Sequence, residues 1–431
     1  MGGASAIAEG IQEALDLSDD SLAACVHCGF CVPVCPTWDI LREENDSPRG
    51  RLYLMRAEIE GRVDPAGAFA DHIGRCVGCR ACETVCPAGV PYGHLLEQAR
   101  ARIPLSPRAR SSGDRFLELL TGTGSQRLYA LGRLIRRLGI AHFVGRLMPG
   151  LAGRALRLLG ATKPALSAAI GQPAGAPSEN AERYALLEGC VMAGLFGHVH
   201  EATRRTLATA GLREVRASEA RCCGALHAHA GRLAAAREMA RVNIAAFETT
   251  SEAWIVTNSA GCGAALRDYP AWLEADPEWR DRAAAVAERV RDVTELLACA
   301  VTQHGLGATA GSLEGRVGYD APCHLVHAQG VRDEPLAVLR SVAGLRVEAL
   351  PSSDRCCGGA GLYGLTEPDL ADAIASPKLD EIRSGEYDWI ATGNPGCIMY
   401  IGAGLRLAGV RTPVVHPVEL VDLAWHGRPG S

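Results

Sequence analysis

Residues 25–36 read CVHCGFCVPVCP, and residues 76–87 read CVGCRACETVCP. Each is a C-x2-C-x2-C-x3-C-P run: Cys25, Cys28, Cys31 and Cys35 closed by Pro36, then Cys76, Cys79, Cys82 and Cys86 closed by Pro87. A [4Fe–4S] cube needs one thiolate on each iron. Three cysteines on a C-x2-C-x2-C loop reach three corners, and where two such runs occur together the fourth thiolate comes from the other run. The spacing therefore predicts one cluster on Cys25, Cys28, Cys31 and Cys86, and a second on Cys76, Cys79, Cys82 and Cys35. Zinc is the competing reading, because C-x2-C also suits it. Two identical three-plus-one runs followed by proline fit iron–sulfur ligation specifically.

Between the two runs, Asp46-Ser47-Pro48-Arg49-Gly50-Arg51 opens a predicted helix that continues through Glu60. Ser47 suits the N-cap and Pro48 the first helical position. Leu52, Met55 and Ile59 have the spacing of an apolar helical face. A helical insert points to a helical two-cluster ferredoxin module over residues 1–100 rather than to a compact β-hairpin type. Arg49 and Arg51 either approach a cluster and raise its potential or lie on a solvated helix face.

Residues 101–170 contain no cysteine, and the other nine cysteines fall between Cys190 and Cys397. Cys190, Cys222, Cys223 and Cys262 recur as Cys323, Cys356, Cys357 and Cys397, at offsets of 133, 134, 134 and 135. The neighbours recur too: Arg221-Cys222-Cys223-Gly224 with Arg355-Cys356-Cys357-Gly358, and Trp254–Thr257 with Trp389–Thr392. Near-constant offsets over such a span mark an internal repeat. In both halves short apolar runs (184–187, 253–257, 316–319, 345–350, 389–392) alternate with helical stretches such as 232–247 and 335–342, which argues for a parallel α/β sheet. Cys190, Cys262, Cys323 and Cys397 each follow a predicted strand, where open α/β sheets place ligand sites. The fold class is therefore α+β multidomain: a helical ferredoxin module (1–100), a basic helical linker (101–180), and a duplicated parallel-sheet α/β cysteine-rich domain (181–305 and 306–431).

The chain has 431 residues, is 48% hydrophobic and 22% charged, and carries a net charge of −5. This composition excludes a mainly disordered chain and gives no overall basic character that would argue for nucleic acid. The first 22 residues lack a basic n-region and an apolar h-region, and Ala6 breaks a myristoylation pattern. No apolar run reaches the ~18 residues of a spanning helix. Seventeen cysteines without a secretory signal suit a reducing, cytoplasmic compartment and metal or redox work. Residues 101–170 hold twelve Lys/Arg and only two acids, Asp114 and Glu118. Leu128, Leu131, Ile135 and Leu138 recur there at helical spacing, with Arg127, Arg133, Arg136 and Arg137 beside them. Such a helix docks on an anionic membrane at its inner face, docks on an acidic partner, or packs on its own chain as a linker.

Together CVHCGFCVPVCPTW, EENDSPRGRLYLMR, RCCGALHAHAG, DAPCHLVHAQGV, DRCCGGAGLYGLT and NPGCIMYIGAGLR resemble the glycolate oxidase iron–sulfur subunit family. The likeness covers residues 22–98 and 184–425. It extends more loosely to lactate-utilisation iron–sulfur proteins, the anaerobic glycerol-3-phosphate dehydrogenase small subunit and heterodisulfide reductase. In that wider family the repeat reads Cys, Cys-Cys-Gly, then C-x2-C, and some members hold clusters there. This sequence has Ser259 and Asn394 where the first cysteine of each C-x2-C stands. The four cysteines of each half are thus further candidate iron ligands or reduced thiol pockets.

The resemblance implies an electron-transfer subunit of a glycolate oxidase (glycolate dehydrogenase) complex. FAD sits on separate partner subunits, and electrons leave for a quinone-type acceptor. Two-electron oxidation of a 2-hydroxy acid is cofactor chemistry, and no flavin fold is legible in this sequence. An equivalent lactate or glycerol 3-phosphate subunit, or a thiol–disulfide reductase, is the alternative; Ser259 and Asn394 weigh against the last. Gly359-x-Gly361-x-x-Gly364 spells a dinucleotide fingerprint but follows a Cys-Cys-Gly turn instead of a strand, which argues against that use. His227, His229, His324 and His327 flank the repeat cysteines, where they donate to sulfur, relay protons or serve as ordinary packed histidines. Cys299 lacks a repeat partner and reads as a packed core thiol.

Overall fold

The computed structural model describes residues 19–122, 124–162, 164, 166, 178–250, 252–304 and 311–427. Both cysteine runs lie in short loops between helices. Pro36–Leu41, Pro48–Ile59 and Ala68–Gly74 separate them, Ala81–Thr84 lies within the second run, and Tyr92–Arg102 follows it. The Pro48–Ile59 helix starts as the sequence predicts: Ser47 Oγ accepts from the Gly50 amide at 3.0 Å. Gly50 is required, because a Cβ there would lie 1.9 Å from the Glu44 carbonyl oxygen. Leu52 and Met55 face a core with Phe69, Ile73 and Leu95. Ile59 departs from expectation and is exposed, because the helix ends there and the chain leaves that core.

Among the described residues of the linker stand the helices Pro107–Thr121, Ser125–Arg137, Ile140–Leu147 and Gly150–Ala161. Two four-stranded parallel sheets follow. The first has β1 (Arg183–Leu186), β2 (Arg213–Glu214), β3 (Trp254–Thr257) and β4 (Val290–Asp292) in the order β2-β1-β3-β4. The second has β5 (Ser312–Tyr319), β6 (Ala343–Ala349), β7 (Trp389–Ala391) and β8 (Val414–Val415) in the order β6-β5-β7-β8. Equivalent registers, Tyr184 opposite Trp254 and Val317 opposite Trp389, make the duplication structural. The apolar runs locate β1, β3, β5, β6 and β7. The remaining strands are two or three residues long, too short to show a period.

The halves embrace reciprocally. Helix Val293–His304 of the first lies against Glu334–Arg340 of the second, and Pro417–His426 of the second lies against Gly197–Thr209 of the first. Val199, Leu207, Val338, Ile398, Val418 and Val421 share one core. Arg205 closes the contact with two bonds to Asp422, at 2.9 and 2.6 Å.

Candidate metal centres

The two ferredoxin runs fold around two adjoining cavities. One is lined by Cys25, Cys28, Cys31 and Cys86 together with Arg49. The other is lined by Cys35, Cys76, Cys79 and Cys82 together with Arg51. The second cavity thus draws three cysteines from the second run and Cys35 from the first, while the first draws three from the first run and Cys86, with the shared Cys82, from the second. Cys82, Pro48 and Tyr92 line both cavities, so only side chains separate them. Cys28 is exposed, whereas Cys35, Cys76, Cys79 and Cys82 are buried. Burial pushes the Cys31 thiol up to about 11 and raises Cys79 and Cys82 well above the ordinary range. Buried thiols become ligating thiolates when a bound cation offsets that cost. Four convergent sulfurs around a cavity are the donor set that iron in a cube requires.

The two arginines behave differently. Arg49 is partly exposed, pairs with Glu44 at 2.6 Å and flanks the outer cavity. Arg51 is fully buried, which removes the solvated-face reading. It bonds Asp46 at 3.0 Å, the His72 carbonyl at 2.7 Å and Thr37 at 3.0 Å, and it carries its charge beside the inner cavity.

In each repeat the four cysteines gather at helix starts beyond the carboxyl ends of the strands. Cys190 precedes Val191–Leu195, and Cys262 is the third residue of Ala260–Trp272. Cys222 and Cys223 lead into Gly224, whose φ of 85° turns the chain into Ala225–His229. In the second half Cys323 opens the single turn His324–Ala328, Cys397 is third in Pro395–Leu407, and Gly358 has φ 80°. The sulfurs of Cys190 and Cys222 are 3.5 Å apart, and those of Cys357 and Cys397 are 2.9 Å apart. Proton sharing with Cys190 holds Cys222 well below the usual thiol range, and sharing with Cys356 and Cys397 does the same for Cys357. Ser259 and Asn394 lie beside sulfur: sharing with Cys223, and after it Ser259, lowers the Cys262 thiol, and Asn394 Nδ2 donates to Cys397 Sγ at 3.6 Å. Asn394 Oδ1 also accepts from the Gly261 amide of the other half at 3.2 Å. Behind the Cys-Cys turns the halves differ. Asn243 accepts from the Arg221 amide and donates to the Cys222 carbonyl, whereas Lys378 donates to the Arg355 carbonyl and pairs with buried Asp320.

The inner ferredoxin cavity faces the second repeat: Cys79, Val77 and Ala81 pack with Cys356 and Tyr363. The four flanking histidines are not aimed at sulfur. His324 bonds the Gly78 carbonyl at 2.9 Å, His327 bonds Thr84 at 2.8 Å, His229 bonds Glu97 at 3.0 Å, and His227 bonds Thr121 at 3.0 Å. They fasten the repeats to the ferredoxin module and the linker. The first repeat's pocket lies beside Tyr129 of the linker, whose hydroxyl is pushed up by burial and by Cys190 and Cys222. Gly194 is obligatory, because a Cβ there would meet the Tyr129 ring at 2.3 Å. Cys299, expected in the core, is exposed; its helix Val293–His304 buries another face through Val293, Leu297 and Ala300. Gly359 and Gly361 belong to the turn after Cys357, and Gly364 is the second residue of the four-residue helix Tyr363–Thr366, so these glycines do not form a strand-to-helix turn of the dinucleotide-binding kind.

A model described as "4Fe-4S dicluster domain" matches residues 21–90, and one described as "Cysteine-rich domain" matches residues 184–267 and again 317–402. The glycolate oxidase iron–sulfur subunit of Escherichia coli (strain K12) is 34% identical over 416 residues, covering 94% of this chain and 95% of that protein. The chain belongs to the glycolate oxidase iron–sulfur subunit family. The probable glycolate oxidase iron–sulfur subunit of Bacillus subtilis (strain 168) is also 34% identical, over 421 residues and 94% of each chain. Lactate utilization protein A of Geobacillus kaustophilus is 28% identical over 240 residues, 56% of this chain and 98% of that protein. Membership of this family agrees with the resemblance and the fold class read from the sequence.

Proposed function

We propose that the chain is the electron-transfer subunit of a glycolate oxidase (glycolate dehydrogenase) complex. In this reading Cys25, Cys28, Cys31 and Cys86 hold one [4Fe–4S] cluster, and Cys76, Cys79, Cys82 and Cys35 hold a second. The observation that carries it is the pair of adjoining cysteine-lined cavities, each holding three cysteines of one run and at least one of the other, the first with exposed Cys28 and the second with buried cysteines packed against the second repeat. Bound clusters would supply one-electron chemistry; the protein's part is to hold them side by side and to place Arg49 and Arg51 beside them. FAD belongs to separate partner subunits, and a quinone-type acceptor calls for a cytoplasmic chain peripheral to a membrane. Residues 1–100 conduct, 101–180 link, and 181–305 and 306–431 build the cysteine mouths, whose eight thiols are further candidate iron ligands. Glycolate is favoured over lactate because the likeness to glycolate oxidase subunits runs nearly end to end.

Anaerobic purification tests this reading. The parent should contain about eight irons per chain, or about twelve to sixteen if the repeats are loaded too. It should oxidise no glycolate until flavoprotein is added. Cys28→Ser should lose about half of an eight-iron content and stop electron delivery to a quinone analogue while the repeats stay folded. Delivery at the parent rate by that variant, or turnover with a flavin spectrum by the isolated chain, refutes the assignment.

A further inference from the structure

Helix Ser125–Arg137 is inside out. Leu131, Leu134 and Leu138 are 55%, 54% and 63% exposed, while Arg133 turns inward to the Gly194 carbonyl and Arg136 to those of Thr162 and Leu195. The arginines that the sequence places on a basic face are therefore partly spent on packing, and leucines take the outside. The next two helices continue the pattern: Phe143, Leu147 and Leu151 are 68%, 69% and 57% exposed.

This surface is rigidly mounted. A Cβ on Gly153 would lie 1.9 Å from the Met148 carbonyl oxygen, so helices Ile140–Leu147 and Gly150–Ala161 close on each other with no room for a side chain. Arg157 bonds the Gly145 carbonyl at 2.7 Å, and Arg154 bonds Asp372 of the second repeat at 2.9 Å. The turn Leu147-Met148-Pro149-Gly150-Leu151 is exposed throughout.

Charge selects the occupant. Residues 119–178 include eight Lys/Arg and no Asp or Glu, and Arg127, Arg137 and Arg146 are exposed around the apolar face. Large apolar side chains ringed by arginine, on a segment that carries no carboxylate of its own, match acyl chains below anionic headgroups. An acidic protein surface would satisfy the arginines but leave the leucines unmatched. No helix among the described residues is long and apolar enough to cross a membrane, so the contact stays within one leaflet.

We propose that the face carrying Leu131, Leu134, Leu138, Phe143, Leu147 and Leu151 seats the chain on an anionic bilayer, with the 147–151 turn entering the headgroup–acyl boundary. Its purpose, delivery to a membrane acceptor, rests on the function proposed above. The binding itself needs no cluster, so iron content and dye reduction, measured without lipid, report on that function separately.

The test is flotation of the full chain with phosphatidylcholine vesicles containing phosphatidylglycerol. The parent should bind, and Phe143→Asp with Leu147→Asp should weaken binding at least about tenfold with unchanged circular dichroism and iron content. The indole introduced by Phe143→Trp should blue-shift on binding and be quenched by lipid brominated in its acyl chains. Absence of binding by the parent overturns the proposal. So does equal binding by the aspartate variant, or an unquenched indole. Protection of that indole by added flavoprotein but not by vesicles also overturns it, and makes the face a protein interface instead.

Discussion

Arg51 has no exposed surface yet carries a full charge. Its fork satisfies Asp46, Thr37 and the His72 carbonyl at once. Arg51→Met would leave Asp46 buried with only Arg75 at 3.5 Å and His72 at 3.1 Å. Removing one partner of a buried pair costs about 3–5 kcal/mol, so the variant should melt well below the parent in thermal scans. Loss of a positive charge beside the inner cavity should also lower the reduction potential measured there; an unchanged melt and potential would count against both roles. Ser47 was legible as a cap because capping is local, acting within one turn. The burial of Arg51 was not, because its partners come from three separate segments. Cys299 shows the complementary limit: its helix was legible, but which face of that helix meets the core depends on elements far along the chain.

At the scale of the element, helix Pro417–His426 depends on an uncharged imidazole. His416 Nδ1 accepts from the Val418 amide at 3.1 Å, and Glu419 accepts from the His416 amide at 2.8 Å. Burial pulls His416 down from 6.5 to about 3. The unfolded chain therefore takes up this proton first, so the stability due to His416 is complete above about 6.5 and is lost as pH falls towards 3. Glu419, pushed up by burial from 4.5 to about 7, has the opposite sign: its native form holds the extra proton, and stability declines as pH rises through that window. His416→Asn keeps a capping acceptor and removes only the first effect. Its melting temperature should fall less than the parent's between pH 6.5 and 4; parallel pH profiles would exclude the capping imidazole as an acid trigger. Alternation of apolar runs and helices was enough to read parallel sheets here. It did not reveal β2, β4 and β8, whose pairing comes from neighbours and not from any pattern of their own.

Across the whole molecule, the ferredoxin module is clamped to both repeats by polar contacts that skip over a hundred residues of sequence. Glu97 is the pin. Its buried carboxylate accepts from Trp272 Nε1 at 2.9 Å and from His229 Nδ1 at 3.0 Å, while Arg80 reaches Asp268 at 2.6 Å. Glu97→Leu orphans the buried indole N–H at a cost of about 1–3 kcal/mol. Amide exchange at residues 76–100 and 225–232 should speed up together, whereas Glu97→Gln, which can still accept from Trp272, should change less. Equal exchange in all three proteins would show that the clamp lies elsewhere. The cysteine spacing and the constant repeat offset made the modules legible. Their docking was not, since the histidines that secure it look in sequence like companions of the sulfurs.

The reciprocal embrace of the halves speaks to ancestry. Helix Val293–His304 grips the second half in the same way that Pro417–His426 grips the first, and such mutual exchange of one patch is the signature of a twofold dimer. A stand-alone progenitor with these faces would have lived as a pair of identical chains. Joining two copies end to end made their meeting intramolecular, at an effective concentration of about millimolar order. It also released the copies from sameness. The first now carries Ser259 and Asn243 where its twin carries Asn394 and Lys378, and the mouth of the second packs against the inner ferredoxin cavity.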